Sequence, residues 1–262
     1  MSRGRALIGT SGWSYKSWHG DFYPEGTSRK EELGYLASRV TSSEINASFY
    51  RLQKPESYQR WYDETPSDHV FAVKGSRFLT HLKQLRDPEP GLAKLLDSGI
   101  AALGDKLGVM LWQLPRTLSF DEPRVERFLK ALPATTRHAL EPRHPSWGAV
   151  RATDLLAAYG VATVYSDSPG AWPALDRDTA DFRYVRLHGH CELYTSRYGD
   201  GLLDRWAERC DTWMRAGQDV HVYFDNDAHG HAPHDAVRLL QRLGVEPAER
   251  AHQDAGSGRR SA

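Results

Sequence analysis

Ionisable and polar side chains recur near the ends of several hydrophobic segments, often two residues apart. Glu44 and Asn46 share one face of an extended segment, and so do Glu141 and Arg143 further along the chain. Side chains of a strand alternate between two faces, so residues two apart point the same way. Acids beside basic residues are typical of a pocket that binds an anion and moves a proton. Comparable positions are Lys74, Gln113, Asp167, Tyr184, Arg186 and His188.

Eight strand-like segments that alternate with helical ones provide the scaffold for these side chains. Strands are predicted over residues 6–12, 42–48, 70–75, 107–114, 137–143, 161–166, 182–187 and 220–224. Helices are predicted over residues 29–39, 55–64, 90–102, 122–131, 147–159, 201–216 and 232–243. This alternation predicts an α/β fold, a closed eight-stranded parallel (β/α)8 barrel of the TIM type. Residues 1–246 would form this single domain, and we expect the polar tail, 247–262, to be disordered.

An open, doubly wound sheet is the rival fold. It would favour a glycine-rich phosphate loop after the first strand, and Gly-Thr-Ser-Gly at 9–12 does not match that pattern. The polar residues gathered at strand ends also suit a barrel, whose active sites lie at the carboxyl ends of the strands. The barrel is therefore preferred.

The composition excludes several functional classes. Lys and Arg number 34, as do Asp and Glu, so the net charge of the whole chain would not attract nucleic acid or a membrane, and a local basic patch is left open. The two cysteines form no Cys-X-X-Cys pair, which argues against a disulfide framework or a thiolate zinc site. No apolar run reaches the roughly 18 residues of a membrane span, and the start lacks a signal peptide. We expect a soluble, cytoplasmic protein.

Short motifs occur in order along nearly the whole chain. They are Gly-Thr-Ser-Gly-Trp-Ser-Tyr at 9–15, Phe-Tyr-Pro at 22–24, Glu-Ile-Asn at 44–46, Phe-Ala-Val-Lys at 71–74, Thr-His at 80–81, Gln-Leu-Pro at 113–115, Arg-His-Pro-Ser-Trp at 143–147, Tyr-Val-Arg-Leu-His-Gly at 184–189 and Val-Tyr-Phe at 222–224. Together they resemble the domain of unknown function 72 family, and the resemblance implies a TIM-type barrel without an established reaction. Two positions depart from the family pattern: Pro142 replaces a usual Phe, and Asp225 replaces a usual Asn.

The strand-end residues divide into roles by their chemistry. Glu141, Asp167 and His188 are the predicted catalytic residues, because carboxylates and imidazoles transfer protons. The predicted substrate-binding residues are Glu44, Asn46, Tyr50, Lys74, His81, Gln113, Arg143, His144, Tyr184 and Arg186. Among these the basic groups would hold an anion, the arginines in a bidentate fork. The alternative for the charged set is a buried ion-pair network that fills the barrel, and His144 could equally cap a loop.

Metal binding is possible but is not favoured. Carboxylates and an imidazole on successive strands resemble metal ligands of barrel enzymes, and the residues concerned are Glu44, Glu141, Asp167, His188 and Asp225. Lys74, Arg143 and Arg186 share the same interior, however, and cations oppose a divalent ion. A zinc-like spacing of Asp227, His229, His231 and His234 falls in a loop and a first helical turn, where a solvated surface is the simpler interpretation. The cofactor is left open.

The preferred function is an enzyme, a hydrolase or isomerase, that acts on an anionic, phosphate-ester-like substrate at the C-terminal mouth of the barrel. The substrate could be a small molecule or a nucleic acid. One alternative is a metal-dependent phosphodiesterase or endonuclease on nucleic acid. Another is a non-catalytic barrel that binds a ligand or partner through the same mouth. Nothing in the sequence indicates a membrane or a particular protein partner.

Overall fold

The computed structural model of the protein describes residues 2–248, and in them eight parallel strands close into a barrel in chain order. The strands are β1 (Ala6–Ser11), β2 (Ser42–Ile45), β3 (Val70–Lys74), β4 (Leu107–Gln113), β5 (Arg137–Glu141), β6 (Ala162–Asp167), β7 (Phe182–Leu187) and β8 (Asp219–Phe224). The barrel closes where Gly9 of β1 pairs with Tyr223 of β8. The predicted closed barrel is thus confirmed. The predicted disordered tail lies, from residue 249 onward, outside the described residues.

Helices surround this barrel, most on its outside and one, α2, at its mouth. They are α1 (Glu32–Ala37), α2 (Ala47–Tyr50), α3 (Pro55–Asp63), α4 (Glu89–Leu96), α5 (Glu122–Ala131), α6 (Val150–Ala158), α7 (Asp200–Arg215) and α8 (His231–Leu243). The sequence did not predict α2, and it predicted α4 to run on to residue 102. Instead Gly99, with a left-handed φ of 102°, separates α4 from a short 3-10 segment at Ile100–Lys106. None of the helices among residues 2–248 is long and apolar enough to cross a membrane.

The outward faces of the strands form the main hydrophobic core with the helices. Ile45, Val73 and Val185 alternate with the polar strand residues and are completely or almost completely buried. Burial of such side chains provides roughly 1.5–3 kcal/mol each relative to exposure. This packing fixes the phase of each strand, and therefore fixes which side chains face the interior.

Inside the barrel, the side chains change from apolar to polar over two residues along most strands. An apolar layer comes first, formed by Ala72, Leu111, Ala139, Val164, Tyr184 and Tyr223. Two residues later, on the same strands or directly after them, stand Lys74, Gln113, Glu141, Ser166, Arg186 and Asp225. The period of two in a strand converts this sequence pattern into a polar layer at the carboxyl ends. The apolar layer below it closes the barrel, so the polar layer faces only the C-terminal mouth.

Candidate functional site

Arg186 of β7 lies at the centre of the polar layer and binds two buried carboxylates. Its Nε and Nη2 donate to Glu44 of β2 at 3.1 and 2.8 Å, a bidentate pair, and its Nη1 donates to Glu141 Oε2 at 3.0 Å. Nη2 also donates to Ser11 Oγ at 2.6 Å and lies 3.3 Å from Asp225 Oδ2. Arg186 is fully buried, and charges are tolerated in such a place only when they are paired.

Glu141 at the end of β5 accepts hydrogen bonds from side chains on or just beyond the four strands β4 to β7. The donors are Gln113 Nε2 at 3.0 Å, Arg143 Nη2 at 3.2 Å, Ser166 Oγ at 3.1 Å, Arg186 Nη1 at 3.0 Å and His188 Nε2 at 3.1 Å. Burial alone would raise the pKa of this carboxyl, but Arg143, Arg186 and His188 outweigh burial and hold the pKa well below its usual value. With both oxygens engaged, Glu141 is better suited to positioning its donors than to accepting a proton.

His188, just beyond β7, bridges two carboxylates. Its Nδ1 lies 2.8 Å from Asp225 Oδ2, and its Nε2 lies 3.1 Å from Glu141 Oε1. The ring is inaccessible to solvent and is covered edge-on by Trp172 and Tyr194, with centroids 5.0 and 5.7 Å away. These contacts fix the orientation of the imidazole. The ring does not line the cavity itself, so it acts on a ligand there through Asp225, which does.

Asp225 and Asp227 follow β8 and have pKa values displaced in opposite directions. Burial would raise the pKa of Asp225, but Arg186 and His188 hold it below the usual range. Burial and the neighbouring Asp225 raise the pKa of Asp227 well above its ordinary value, and its Oδ1 has no hydrogen-bond partner. The surroundings thus favour the ionised form of Asp225 and the neutral form of Asp227.

Lys74 at the end of β3 brings an amine to the mouth. Its Nζ lies over the ring of Phe49, 4.5 Å from the centroid. Burial and then Arg186 lower its pKa to about 8, against the opposing influence of Glu44, Asp225 and Glu141. An ammonium group with so low a pKa is close to losing its proton at physiological pH.

A cavity of about 1010 Å³ opens above the polar layer. Its wall combines the ends of β3, β4, β5 and β7 with the loop after β1 and with α2 and α3. The residues of the wall are Gly12, Trp13, Ser14, Tyr15, Arg29, Asn46, Ala47, Phe49, Tyr50, Arg51, Gln53, Ser57, Arg60, Trp61, Lys74, Gln113, Arg143, Arg186, Tyr194 and Asp225. The cavity is large enough to hold a small-molecule ligand, and polar side chains from several strands and helices line it.

Asp167 does not join the interior group, contrary to the sequence expectation. In the β6–β7 pairing Ser166 stands beside Arg186, and Asp167 stands beside Leu187, which faces the helices. Asp167 accepts a hydrogen bond from Tyr198 at 3.0 Å and lies 3.1 Å from Nδ1 of His190. The expected inward orientation was wrong because the phase of β6 is set by Ala162 and Val164, which place Ser166 inward.

Most other predicted residues lie in or beside the interior group. Tyr184 donates to Glu44 at 2.8 Å from the layer below, and Asn46 donates to Ser11 Oγ at 2.9 Å. Tyr50 is 70% exposed at the cavity wall, where an aromatic ring is free to stack on a ligand. Asn46 and Tyr50 thus lie at the mouth, whereas Tyr184 lies one layer below it.

The two histidines that follow strands differ in position. His144 caps the 3-10 segment Pro145–Gly148, accepting from Ser146 N at 3.2 Å. His81 lies close enough to the mouth for burial, then Lys74 and Arg143, to lower its pKa to about 4. The local hydrogen bonds of His144 match the loop-cap alternative, while His81 packs against Phe49 with centroids 5.1 Å apart.

Three interior residues were missing from the predicted site. Ser11 and Ser166 each donate to a central carboxylate, Glu44 at 2.7 Å and Glu141 at 3.1 Å. Asp225 was considered only as a metal ligand. The period-two phase of β1, β6 and β8 is the signal that identifies all three, since each stands two residues after another inward position.

The possible metal sites have different neighbours in the structure. Residues 2–248 contain no group of three or more His, Cys, Asp or Glu side chains placed to hold a metal ion. Glu44, Glu141 and Asp225 surround the guanidinium of Arg186. In the histidine segment, His234 Nε2 pairs with Asp21 at 2.9 Å. Neither donor set therefore fits a metal as arranged here.

Comparisons with known proteins agree with this architecture. A family model described as "Protein of unknown function DUF72" matches residues 7–257. The UPF0759 protein YunF of Bacillus subtilis (strain 168) is 25% identical in an alignment 270 positions long, which covers 91% of this chain and 95% of that protein. The UPF0759 protein YecE of Escherichia coli (strain K12) is 30% identical over 141 residues, 53% of this chain and 49% of that protein.

Solved structures show the same similarity. A DUF72 family protein from Thermotoga maritima MSB8 superimposes with a TM-score of 0.80 at 26% identity, covering 92% of this chain and 99% of that one. A DUF72 family protein from Enterococcus faecalis V583 gives a TM-score of 0.77 at 18% identity, covering 94% and 99%. The similarity extends over nearly the whole barrel rather than over one motif.

Proposed function

The chain belongs to the DUF72 family, and we propose that it is an enzyme acting on an anionic, phosphate-ester-like substrate at the C-terminal mouth of its barrel. The observation that carries this proposal is the charge of the cavity wall. Six cationic side chains line it, namely Arg29, Arg51, Arg60, Lys74, Arg143 and Arg186. Among the described lining residues the only carboxylate is Asp225.

The basic residues of the wall fall into two groups by their partners. Arg186 and Arg143 are bound to buried carboxylates and Arg60 pairs with Glu64 at 3.7 Å, so the charge of these three is largely matched. Arg29, Arg51 and Lys74 have no ion pair with any carboxylate of residues 2–248, and they leave an excess of positive charge facing the cavity. Hydrogen bonds from such groups to an anion contribute roughly 1.5–3 kcal/mol each.

Proton transfer in this site is best assigned to the ionisable groups of the inner wall. The lowered pKa of Lys74, about 8, is close to neutral pH, where a group donates and accepts protons most effectively. Asp225 is held ionised by Arg186 and His188, so it can stabilise positive charge that develops on a substrate or on Lys74. Glu141 would act as a positioning residue for both. This division suits hydrolysis or isomerisation.

Anion binding is tested first with pyrophosphate and isothermal titration calorimetry. Replacing Arg29 and Arg51 together by Ala is expected to weaken binding by about tenfold or more, which corresponds to about 1.4 kcal/mol. The matched control replaces Arg215 and Lys130, which lie on α7 and α5 outside the cavity wall. Equal losses in both double variants would mean that binding follows net charge, and the proposed site would be wrong.

Turnover separates the enzyme from its alternatives. Chromogenic phosphomonoesters and phosphodiesters are offered with and without added Mg²⁺ or Mn²⁺. Activity that the cavity variant loses and the control variant keeps would support the proposal. Turnover restricted to diesters and to metal-containing buffer would favour the nuclease alternative, and tight pyrophosphate binding without any turnover would favour a binding barrel.

A further inference from the structure

The amine of Lys74 is unusual among buried lysines because it lacks a fixed partner. No hydrogen bond or ion pair from its Nζ exists within residues 2–248, and the contact that holds it is the ring of Phe49. Lys106, also buried, donates from Nζ to the carbonyl oxygens of Tyr62 and Thr65 at 2.5 and 2.9 Å. Lys106 therefore has the contacts of a structural lysine, and Lys74 does not.

The acids near Lys74 are already occupied by Arg186. Glu44 and Glu141 accept its hydrogen bonds, and Asp225 lies 3.3 Å from its Nη2. The charged groups that act on Lys74 are Arg186, Glu44, Asp225 and Glu141, and Lys74 in turn acts on His81 together with Arg143 and Arg77. No hydrogen bond to a carboxylate therefore stabilises the ammonium form, which is favoured only by the Phe49 ring and by the more distant charges of the three acids.

The consequence is an amine that is partly neutral under physiological conditions. With a pKa of about 8, about a tenth of Lys74 carries a free lone pair at pH 7. For a lysine with the ordinary pKa the neutral fraction is roughly three in ten thousand. Lowering of an amine pKa by burial and a neighbouring cation is a known way to activate lysine as a nucleophile.

We propose that Lys74 is a covalent nucleophile that forms an imine with the aldehyde or ketone group of a phosphorylated substrate. The proposal names the substrate class of the cavity, and for the phosphate group it rests on the proposed function. Arg29 and Arg51 would bind the phosphate, while the carbonyl carbon meets Nζ at the inner wall. Asp225 supplies a negative charge near the nitrogen that becomes a protonated imine.

The covalent step balances without an oxidant or reductant. The lone pair of the neutral amine attacks the carbonyl carbon, and the π electrons of the C=O bond move to oxygen, which takes a proton. The nitrogen loses a proton to give a neutral carbinolamine. The hydroxyl then takes a proton and leaves as water while the nitrogen lone pair forms the C=N bond. One protonated imine and one water molecule result from one amine, one carbonyl group and one proton.

Reductive trapping tests this assignment. The full-length protein is treated with sodium cyanoborohydride and either glycolaldehyde phosphate or uncharged glycolaldehyde, and the adducts are mapped by peptide mass spectrometry. We expect Lys74 to carry at least about tenfold more adduct than the exposed Lys83 and Lys130, because its neutral fraction is larger. Lys74→Arg should lose this adduct, and Lys130→Arg should keep it.

Each outcome decides between the two proposals. An adduct spread evenly over surface lysines, or equal total labelling of a folded Lys74→Arg protein, overturns the imine. Pyrophosphate binding without an adduct on Lys74 leaves the anion site in place and removes only the imine. An adduct on Lys74 from both aldehydes, with no gain from the phosphate and no pyrophosphate binding, supports the imine and removes the anionic substrate. Thermal unfolding of Lys74→Arg establishes that loss of label is not loss of fold.

Discussion

The two ends of the barrel interior both bury polar side chains, and they do so in opposite ways. Towards the carboxyl ends, Arg186 and Glu141 remain ionised because each is hydrogen bonded to several groups of opposite charge. Towards the amino ends, His221 stacks on Tyr184 with centroids 5.8 Å apart, and its Nε2 has no partner. Burial lowers the pKa of His221 to about 3, so this ring is neutral. Burial preserves a charge only where countercharges surround it.

His69, which lies on the outer side of the barrel wall, shows the same effect of burial on the pKa of a histidine. It precedes β3, its Nε2 lies 3.2 Å from Ser43 Oγ, and its Nδ1 has no partner. Burial again lowers the pKa to about 3. The amino end of the barrel thus keeps its buried histidines neutral, with the partly exposed ion pair of Arg137 and Asp219 at its rim, whereas the carboxyl end concentrates the buried charges that face the cavity.

The largest expected effect is that of Arg186→Met. The change leaves Glu44 and Glu141 buried without their shared cation, so we expect the free energy of unfolding to fall by roughly 3–5 kcal/mol. Urea denaturation measures the loss, with Arg215→Met as control because Arg215 is 73% exposed and its loss should stay within about 0.5 kcal/mol. A decrease in the free energy of unfolding of less than about 1 kcal/mol would show that the polar layer tolerates buried carboxylates without a counter-charge.

Glu141→Gln is expected to cost somewhat less, about 3 kcal/mol, because an amide retains one acceptor oxygen but turns donor hydrogens towards arginine and histidine. A double-mutant cycle with Arg186→Met sharpens this prediction. Since the two residues are bonded at 3.0 Å, the double variant should lose at least about 1 kcal/mol less than the sum of the single losses. Strict additivity would contradict the direct pairing.

The buried histidines of the amino end predict a loss of stability as the pH falls from 7 to 5. The pKa of His221 and that of His69 are about 3 in the folded protein, below the unfolded value of 6.5. Their stabilisation is fully present above pH 6.5 and is lost as pH falls towards 3. Between pH 7 and 5 each histidine should remove roughly 2 kcal/mol, in a window above the usual titration of carboxylates.

Unfolding free energies measured at intervals across this window give the slope. In His221→Leu the slope should correspond to about one bound proton fewer than in the unmodified protein. The exposed His229 provides the control, and His229→Leu should leave the slope unchanged. An unaltered slope in His221→Leu would mean that this ring already takes up protons in the folded state.

Ser166→Ala is expected to have the smallest effect. It tests how much a single hydrogen bond to Glu141 contributes to the free energy of unfolding. It removes the 3.1 Å hydrogen bond to Glu141 Oε1 and leaves the four other donors in place, so we expect a loss of about 1 kcal/mol. Ser38→Ala removes an exposed local hydrogen bond and should be nearly neutral. Equal costs in chemical denaturation would argue against a tightly organised charged layer.

The fold was predictable because its signals are local and repeated. Strand segments, turns and the alternation with helices are readable from short windows, and the length suits one barrel. The missing detail lies at boundaries, where Gly99 ends α4 early and α2 occupies the residues after β2. Such boundaries depend on a single backbone conformation and on packing, which a periodicity does not contain.

The candidate site was predictable in position and less so in contacts. Period two placed Glu44, Glu141 and Arg186 together, but the phase of β6 had to be inferred from its apolar residues to exclude Asp167. The sequence could not predict that both carboxylate oxygens of Glu141 accept hydrogen bonds. The donors come from four different strand ends or the positions just beyond them. Which oxygen meets which donor depends on the shear and radius of the closed barrel.

The bonds of Arg186 also have a kinetic consequence. They join residues separated by 175 positions in the case of Ser11, 142 in the case of Glu44 and 45 in the case of Glu141. Loop closure over such separations is costly, so this network should form only after most of the barrel has assembled. Interactions absent from the folding transition state act mainly on the unfolding rate. The polar layer would then form late in folding and slow unfolding, which prolongs the lifetime of the folded barrel.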